Sequence, residues 1–132
     1  MGERYDIAIV GSGPAGLEAA INAKIRNKNV IIVGNKDFSP KLMKAPKINN
    51  YLGFYNISGK ELKEKFESHI KNMGIEITEE RIDSVYAMGE YFALMVNQKM
   101  YEARAVILAT GIEYGKPIKG EEEFLGKGVG YC

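Results

Sequence analysis

The chain has 132 residues, 45% hydrophobic and 27% charged, which is typical of a soluble globular protein of one domain. Its 18 basic and 17 acidic residues nearly balance, so the charge favours neither a nucleic acid nor a membrane as partner. No apolar run is long enough to span a bilayer and no signal pattern opens the chain, so we expect a cytoplasmic location. With a single cysteine, Cys132, and a single histidine, the sequence predicts neither an internal disulfide nor a metal site.

The first motif lies near the amino terminus. The short β-branched run Ile7–Val10 predicts a strand, and Ala15–Arg26 predicts a helix rich in small residues. Between them three glycines have the spacing G-x-G-x-x-G, namely Gly11, Gly13 and Gly16. A second apolar run, Val30–Val33, follows the helix. This strand–turn–helix–strand setting is the one in which such a glycine motif binds a dinucleotide.

Each residue of the motif has a mechanical role. Gly11 permits a tight turn off the strand, Gly13 lets the backbone approach a pyrophosphate, and Gly16 lets the helix lie close to the sheet. Pro14 fits the first helical turn, where a missing N–H costs nothing. The helix N-terminus then presents N–H groups and a positive dipole to the phosphates. The alternative is an ordinary strand-to-helix turn without a ligand.

The middle of the chain predicts a long loop and a second helix. Residues 34–57 lack periodicity but are too apolar for a solvated linker, so we expect them to fold over another part of the molecule. The S-x-x-E pattern of Ser58 and Glu61 is a capping box. It starts the helix Glu61–Met73, whose apolar residues recur at helical spacing.

The period then changes to that of strands. Ile75–Ile77 is a short apolar strand, and three further segments with turn residues between them predict an antiparallel meander: Ile82–Met88, Tyr91–Val96 and Lys99–Ala103. A separate buried strand, Ala105–Ala109, follows. The fold class is therefore α/β, a Rossmann-like parallel sheet with a three-stranded meander where a plain nicotinamide-binding domain tends to use a helix.

These features resemble a known family. The motif GSGPAG, the meander and a strand ending in Ala109-Thr110-Gly111 are similar to the FAD-binding domain of two-dinucleotide flavoproteins. Ile48–Phe54 resembles the flavin-contacting loop of bacterial low-molecular-weight thioredoxin reductases. Glu121–Cys132 resembles the segment of that family that leads into the redox C-x-x-C. The resemblance extends over essentially the whole chain.

The resemblance implies FAD as the cofactor and a set of residues that contact it. Along the cofactor these are, for the pyrophosphate, Gly11, Ser12, Gly13, Pro14, Ala15, Gly16, Ala109, Thr110 and Gly111; for the ribose and adenine, Asn35, Lys36 and Ile82; for the ribityl chain and isoalloxazine, Lys41, Leu42 and Asn50. Four of these residues have a simpler alternative interpretation. Leu42 could be a core residue, Asn50 a turn residue, and Lys36 and Lys41 solvated charges.

The sequence departs from the family at two points, one expected at the adenosine ribose of FAD and one at the flavin. The second strand is followed by Gly34-Asn35-Lys36, without the carboxylate expected to bind a ribose, although Asn35 can still hydrogen-bond a hydroxyl. The family's glycine-rich pair before Leu42 is replaced by Ser39-Pro40-Lys41, so we expect the flavin's environment to differ.

The end of the chain also differs. Cys132 matches the first cysteine of C-x-x-C, which attacks the target disulfide, but the second is absent. We therefore expect residues 1–117 to form the N-terminal part of an FAD-binding domain, incomplete at its C-terminus. Residues 118–132 would be a linker to a missing redox and pyridine-nucleotide domain. Alone, the chain should be a poor disulfide reductase, because a lone thiol forms only mixed or intermolecular disulfides.

The implied function of the complete protein is electron transfer. FAD would take electrons from NADPH or ferredoxin and pass them to the C-x-x-C, which then reduces thioredoxin. The complete protein is expected to be a homodimer. Two alternatives stay open: the reductase component of a peroxide-reducing system, and a non-catalytic dinucleotide-binding module.

Overall fold

The computed structural model describes residues 4–37, 40–112, 118–124 and 127–129, and its elements follow the predicted order. In chain order they are β1 (Tyr5–Val10), α1 (Pro14–Ile25), β2 (Val30–Gly34), α2 (Pro40–Met43), α3 (Gly59–Asn72), β3 (Ile77–Glu79), β4 (Ile82–Ala87), β5 (Phe92–Val96), β6 (Lys99–Leu108) and α4 (Glu121–Phe124). The two short helices α2 and α4 were not predicted. Cys132 and four other residues of the predicted linker, 125, 126, 130 and 131, lie outside the described residues.

The described strands form one six-stranded sheet in the order β3-β2-β1-β6-β5-β4. β1 pairs in parallel with β2 and β6, and β2 pairs in parallel with β3. β4 and β5 pair antiparallel, as do β5 and β6. This combination of a parallel sheet and a meander confirms the predicted fold class. Because the carboxyl ends of parallel strands meet at one edge, the residues after β1, β2, β3 and β6 are brought together there.

One prediction about the strands was wrong. Lys99–Ala103 and Ala105–Ala109 are not separate strands but parts of the single strand β6. Its first half pairs with β5 and its second half with β1, and Ala103 is paired with residues of both neighbours. Arg104 does not interrupt the strand, because alternation places its side chain in solvent while Ala103 is fully buried.

The two faces of the parallel strands are covered by different elements. Alternating residues of β1 and β2 face the helices, in a core of Ile9, Leu17, Ala20, Ile21, Ile32 and Ile70. The residues between them face the meander, in a core of Ala8, Ile31, Val33, Leu94, Val96 and Ala103. The meander thus covers one face of the parallel strands, as expected, and leaves their carboxyl-terminal edge for the connecting loops.

The capping box at the start of α3 is confirmed. The Ser58 hydroxyl accepts a hydrogen bond from the Glu61 N–H at 3.2 Å, and the Glu61 carboxylate accepts one from the Ser58 N–H at 2.9 Å. A further hydrogen bond, from the Ser58 hydroxyl to that carboxylate, is 2.7 Å long. The Ser58 hydroxyl, followed by its N–H, therefore lowers the pKa of Glu61 below its ordinary value of 4.5.

The long loop folds over α3, as its apolar composition predicts. Two isolated bridges, Ile48 with Ile57 and Tyr51 with Phe54, close it into a compact turn. The Tyr51 ring then packs against Phe66 of α3, with ring centroids 5.6 Å apart. Among the described residues, no helix is long and apolar enough to cross a membrane.

Candidate dinucleotide-binding site

The turn between β1 and α1 is held by close backbone contacts. Gly11 has a φ of +109°, and a Cβ built on it would overlap the carbonyl oxygen of Ala109. A Cβ on Gly16 would overlap the carbonyl oxygen of Gly11 and lie 3.4 Å from Ile9 Cγ2. Both positions therefore require glycine, and the predicted roles of Gly11 in the tight turn and of Gly16 in helix–sheet packing are confirmed.

Gly13 is in a different situation. It is the N-cap residue of α1, with φ −72° and ψ −178°, and Pro14 follows it in the first turn. A Cβ at this position would meet no atom of the described residues within 4 Å, so packing against that part of the chain does not explain the glycine. The first N–H groups of a helix lack intrahelical partners and attract an anion. The open space at Gly13 is consistent with close approach of a phosphate to this helix end.

The loop is also fastened to the end of β2. Ser12 is 5% exposed, and its hydroxyl donates a hydrogen bond to the carbonyl oxygen of Asn35 at 2.7 Å. A Cβ on Gly34 would lie 2.7 Å from Ser12 Cβ and 2.8 Å from Ser12 N. The Ser12 side chain is thus used within the fold, and Gly34 is a further required glycine that sequence reasoning missed, although its place at the end of an apolar strand was a signal.

A cavity of about 600 Å³ lies at the carboxyl-terminal edge of the sheet. Its lining is Val10, Gly11, Val33, Gly34, Asn35, Glu79, Glu80, Arg81, Ile82 and Thr110. Four predicted cofactor-binding residues from four separate segments meet in it: Gly11, Asn35, Ile82 and Thr110. Ligands of open α/β sheets bind outside this edge of the strands. The charged residues from the end of β3 to the start of β4, Glu79 to Arg81, were missed because a short charged segment has no diagnostic spacing.

Three other predicted residues lie beside this cavity. Lys36 forms an ion pair with Glu79, with 3.3 Å between Nζ and Oε2. The Ala109 N–H donates to the Val10 carbonyl oxygen at 2.8 Å, which extends the contact of β6 with β1. Gly111 has a φ of +72°, so the chain turns sharply just after Thr110. The segment Ala109–Gly111 therefore runs next to the glycine turn.

The residues predicted for the flavin end are not in the cavity lining. Leu42 is half-buried in α2, where its carbonyl oxygen accepts a hydrogen bond from the Ala45 N–H at 3.0 Å. Asn50 is exposed in the long loop. The Lys41 side chain and Cys132 lie outside what the structure describes.

The described residues also form cavities other than the one at the carboxyl-terminal edge of the sheet. A cavity of about 400 Å³ lies at the opposite edge of the sheet, with Lys24, Asn29 and Glu76 in its lining. A cleft of about 190 Å³ between α1 and α3 has Pro14, Tyr51 and other residues in its lining. Within the described ranges, no group of three or more His, Cys, Asp or Glu side chains is arranged to hold a metal.

The glycine turn, the open space at Gly13 and the cavity beside them are features of dinucleotide-binding α/β domains. The family model described as pyridine nucleotide-disulphide oxidoreductase matches residues 5–132. The chain belongs to this family.

Individual relatives are similar to the chain over nearly its whole length. The chain is 37% identical to the thioredoxin reductase of Bacillus subtilis (strain 168) over 129 residues, covering 97% of this chain and 41% of the relative. A crystal structure of a ferredoxin-flavin thioredoxin reductase from Clostridium acetobutylicum is 67% identical with a TM-score of 0.85, over 99% of this chain and 46% of that one. Thioredoxin reductase from Streptococcus pyogenes MGAS5005 is 34% identical with a TM-score of 0.81, over 98% and 42% of the two chains.

These matches confirm the resemblance to bacterial thioredoxin reductases at several points. The relatives are thioredoxin reductases, and proteins of that family are FAD-binding flavoproteins. The chain spans about 41% of the length of the Bacillus subtilis relative, so the match concerns one part of such a protein.

Proposed function

We propose that this chain binds FAD and serves as the FAD-binding part of a thioredoxin reductase. The observation that supports this most strongly is the cavity at the sheet edge, because it unites residues predicted from four separate segments. The glycine turn beside it fits a pyrophosphate, since Gly13 leaves open space at the N-terminus of α1.

The backbone from Ser12 to Gly16 would hold the pyrophosphate, assisted by the positive end of the α1 dipole. Ala109–Gly111 would flank it on the other side, and Asn35 and Ile82 would face the adenosine. Lys41, Leu42 and Asn50 remain the candidates for the flavin end. When bound, FAD supplies a group that accepts electrons from a donor and passes them to a disulfide. The residues that bind FAD would hold it in a fixed position.

In the complete protein we place Cys132 as the first cysteine of the redox pair. Its thiolate would attack the disulfide of thioredoxin and form a mixed disulfide, which the second cysteine would resolve. In this proposal residues 1–117 form the FAD-binding part and residues 118–132 connect it to the redox and pyridine-nucleotide domain. We expect a homodimer in the cytoplasm.

We propose ferredoxin as the electron donor ahead of NADPH. This choice is supported by the 67% identity to a protein named ferredoxin-flavin thioredoxin reductase, against 34–37% for relatives named thioredoxin reductase. The complete gene product, supplied with thioredoxin, should generate thioredoxin thiols with reduced ferredoxin and not with NADPH. Thiol production with NADPH and none with reduced ferredoxin would favour NADPH as the donor. Bound FAD without thiol production from either donor would favour a non-catalytic module.

FAD binding is tested on the 132-residue chain by titration, with quenching of flavin fluorescence as the signal. We expect saturation at one FAD per chain, and much weaker binding of FMN, which has the same flavin but no pyrophosphate or adenosine. Equal affinity for the two flavins would contradict the assignment of the glycine turn and cavity. Failure to bind either would contradict the proposal for this chain.

A further inference from the structure

The end of β2 has no carboxylate, and the structure shows why its residues do not replace one. A side chain at Gly34 would collide with Ser12. The Asn35 side-chain oxygen already accepts a hydrogen bond from the Asp37 N–H at 2.8 Å. Its amide nitrogen is a donor that suits a hydroxyl oxygen, whereas a hydroxyl proton would have to share the oxygen that the Asp37 N–H already uses. A ribose in this cavity is therefore better served by a second acceptor from elsewhere.

Two nearby carboxylates are directed to other partners. Asp37 forms an ion pair with Lys63 of α3 at 3.1 Å, which directs its carboxylate toward that helix. Glu80 accepts a hydrogen bond from Asn97 Nδ2 at 3.1 Å, and its carboxylate lies 3.8 Å from Lys99 Nζ. Glu80 thus stabilises the turn between β5 and β6, although it also lies in the cavity lining.

Glu79 is placed differently. It is the last residue of β3, and in the parallel ladder it is paired with Gly34 of β2. Paired residues of neighbouring strands share a face of the sheet. Glu79 therefore presents a carboxylate beside the position where β2 has no side chain, and it lines the same cavity as Asn35.

The partner of Glu79 does not prevent ligand binding. Its carboxylate is 3.3 Å from Lys36 Nζ, and the two side chains are 53% and 65% exposed. Ion pairs this exposed are weak. A ligand hydroxyl can therefore share the carboxylate with Lys36 or take its place at little cost.

We infer that Glu79 accepts hydrogen bonds from the adenosine ribose of the bound dinucleotide, in place of the carboxylate missing after β2. This inference rests on the proposed function. Glu79 and the Asn35 amide would together provide an acceptor and a donor for the ribose hydroxyls. The carboxylate comes from the strand next to β2, across the Gly34–Glu79 pair.

The direction in which one substitution changes the affinity for FAD separates this role from a general charge effect. Removing a negative charge beside a ligand with two phosphates should strengthen binding if charge alone matters. Removing the hydrogen-bond acceptor should weaken it. We expect Glu79→Ala to bind FAD about tenfold more weakly than wild type, the loss typical of one hydrogen bond to a charged group.

A matched variant serves as the control. Glu80→Gln removes the same charge from the same cavity lining. It should bind FAD as tightly as wild type or more tightly, because a negative charge near the phosphates is lost. A loss in Glu80→Gln equal to that in Glu79→Ala would overturn the inference, because the effect would then not be specific to the Glu79 carboxylate.

A second ligand tests the contact itself. An FAD analogue without the adenosine 2′-hydroxyl should bind wild type more weakly than FAD, and Glu79→Ala should no longer distinguish the two ligands. The role of Glu79 would be overturned if Glu79→Ala bound FAD as tightly as wild type or more tightly, or if it still distinguished FAD from the analogue as well as wild type does. FAD binding by wild type would then leave the proposed function intact. If urea unfolding shows that the alanine variant is not folded, Glu79→Leu, whose side chain likewise has no hydrogen-bond acceptor, decides with the same two ligands. Absence of FAD binding by wild type would overturn both.

Discussion

Replacing Gly13 with alanine should separate cofactor binding from folding. The φ of −72° and ψ of −178° at this residue suit any amino acid, and in the part of the chain that the structure describes no atom lies within 4 Å of its Cβ position. The entropic gain of Gly→Ala at a compatible position, about 0.4–1 kcal/mol, is opposed by the poorer N-cap character of alanine. The free energy of unfolding should therefore change by less than about 1 kcal/mol.

The same methyl group would stand where the pyrophosphate approaches the backbone. Loss of one hydrogen bond to a charged ligand costs about 1.5–3 kcal/mol, so FAD should bind roughly 10- to 100-fold more weakly. Gly34→Ala is the matched comparison, because its Cβ would lie 2.7 Å from Ser12 Cβ and 2.8 Å from Ser12 N. Overpacking of this kind costs about 1–3 kcal/mol, so this variant should lose stability where Gly13→Ala does not.

Urea unfolding without ligand, followed by circular dichroism, gives the stabilities, and FAD titration gives the affinities. The reasoning is refuted if Gly13→Ala keeps wild-type affinity, since the open space at Gly13 would then not be the place of the pyrophosphate. It is equally refuted if Gly13→Ala destabilises the chain as much as Gly34→Ala.

Three further predictions concern the cap of α3, the second core and the thiol. Glu61→Gln should lower stability at pH 7 but approach wild type in strong acid, because hydrogen bonds from Ser58 lower the pKa of Glu61 below 4.5 and its contribution is lost as the pH falls through that lowered value; urea unfolding at several pH values measures this. Leu94→Ala should cost about 2–5 kcal/mol in the same assay, since Leu94 is 0% exposed between the meander and the sheet. Cys132 should be alkylated at the rate of a free peptide cysteine and form dimers on air oxidation, because Lys127 is the one basic residue of the sequence from 121 to 132 that could favour its thiolate; much faster alkylation, or none in the folded chain, would contradict this.

The local parts of the fold were predictable because their signals are local. The glycine spacing located the turn between β1 and α1, and the pattern of Ser58 and Glu61 located the start of α3. The continuity of β6 was not predictable in this way. Its two halves pair with β5 and β1, which are far apart in sequence, so the pattern around Arg104 does not show whether the chain turns there.

The site was predictable only where a motif or a family resemblance covered it. Gly11, Asn35, Ile82 and Thr110 were chosen from separate segments, and the cavity brings them together. Glu79 has no such signal. Its place beside Gly34 follows from the pairing of β2 with β3, a contact across more than 40 residues that sequence spacing does not encode.

The central claim is that FAD binds at the glycine turn and the cavity beside it. The most direct measurement is a ¹H–¹⁵N correlation spectrum of the chain during titration with FAD. We predict saturable shifts of the amides of Gly11, Ser12, Gly13, Ala15, Gly16, Asn35, Ile82 and Thr110, with Lys24 and Glu76 at the opposite edge of the sheet unaffected. Shifts concentrated around Lys24 and Glu76, or no shifts at saturating FAD, would contradict the account.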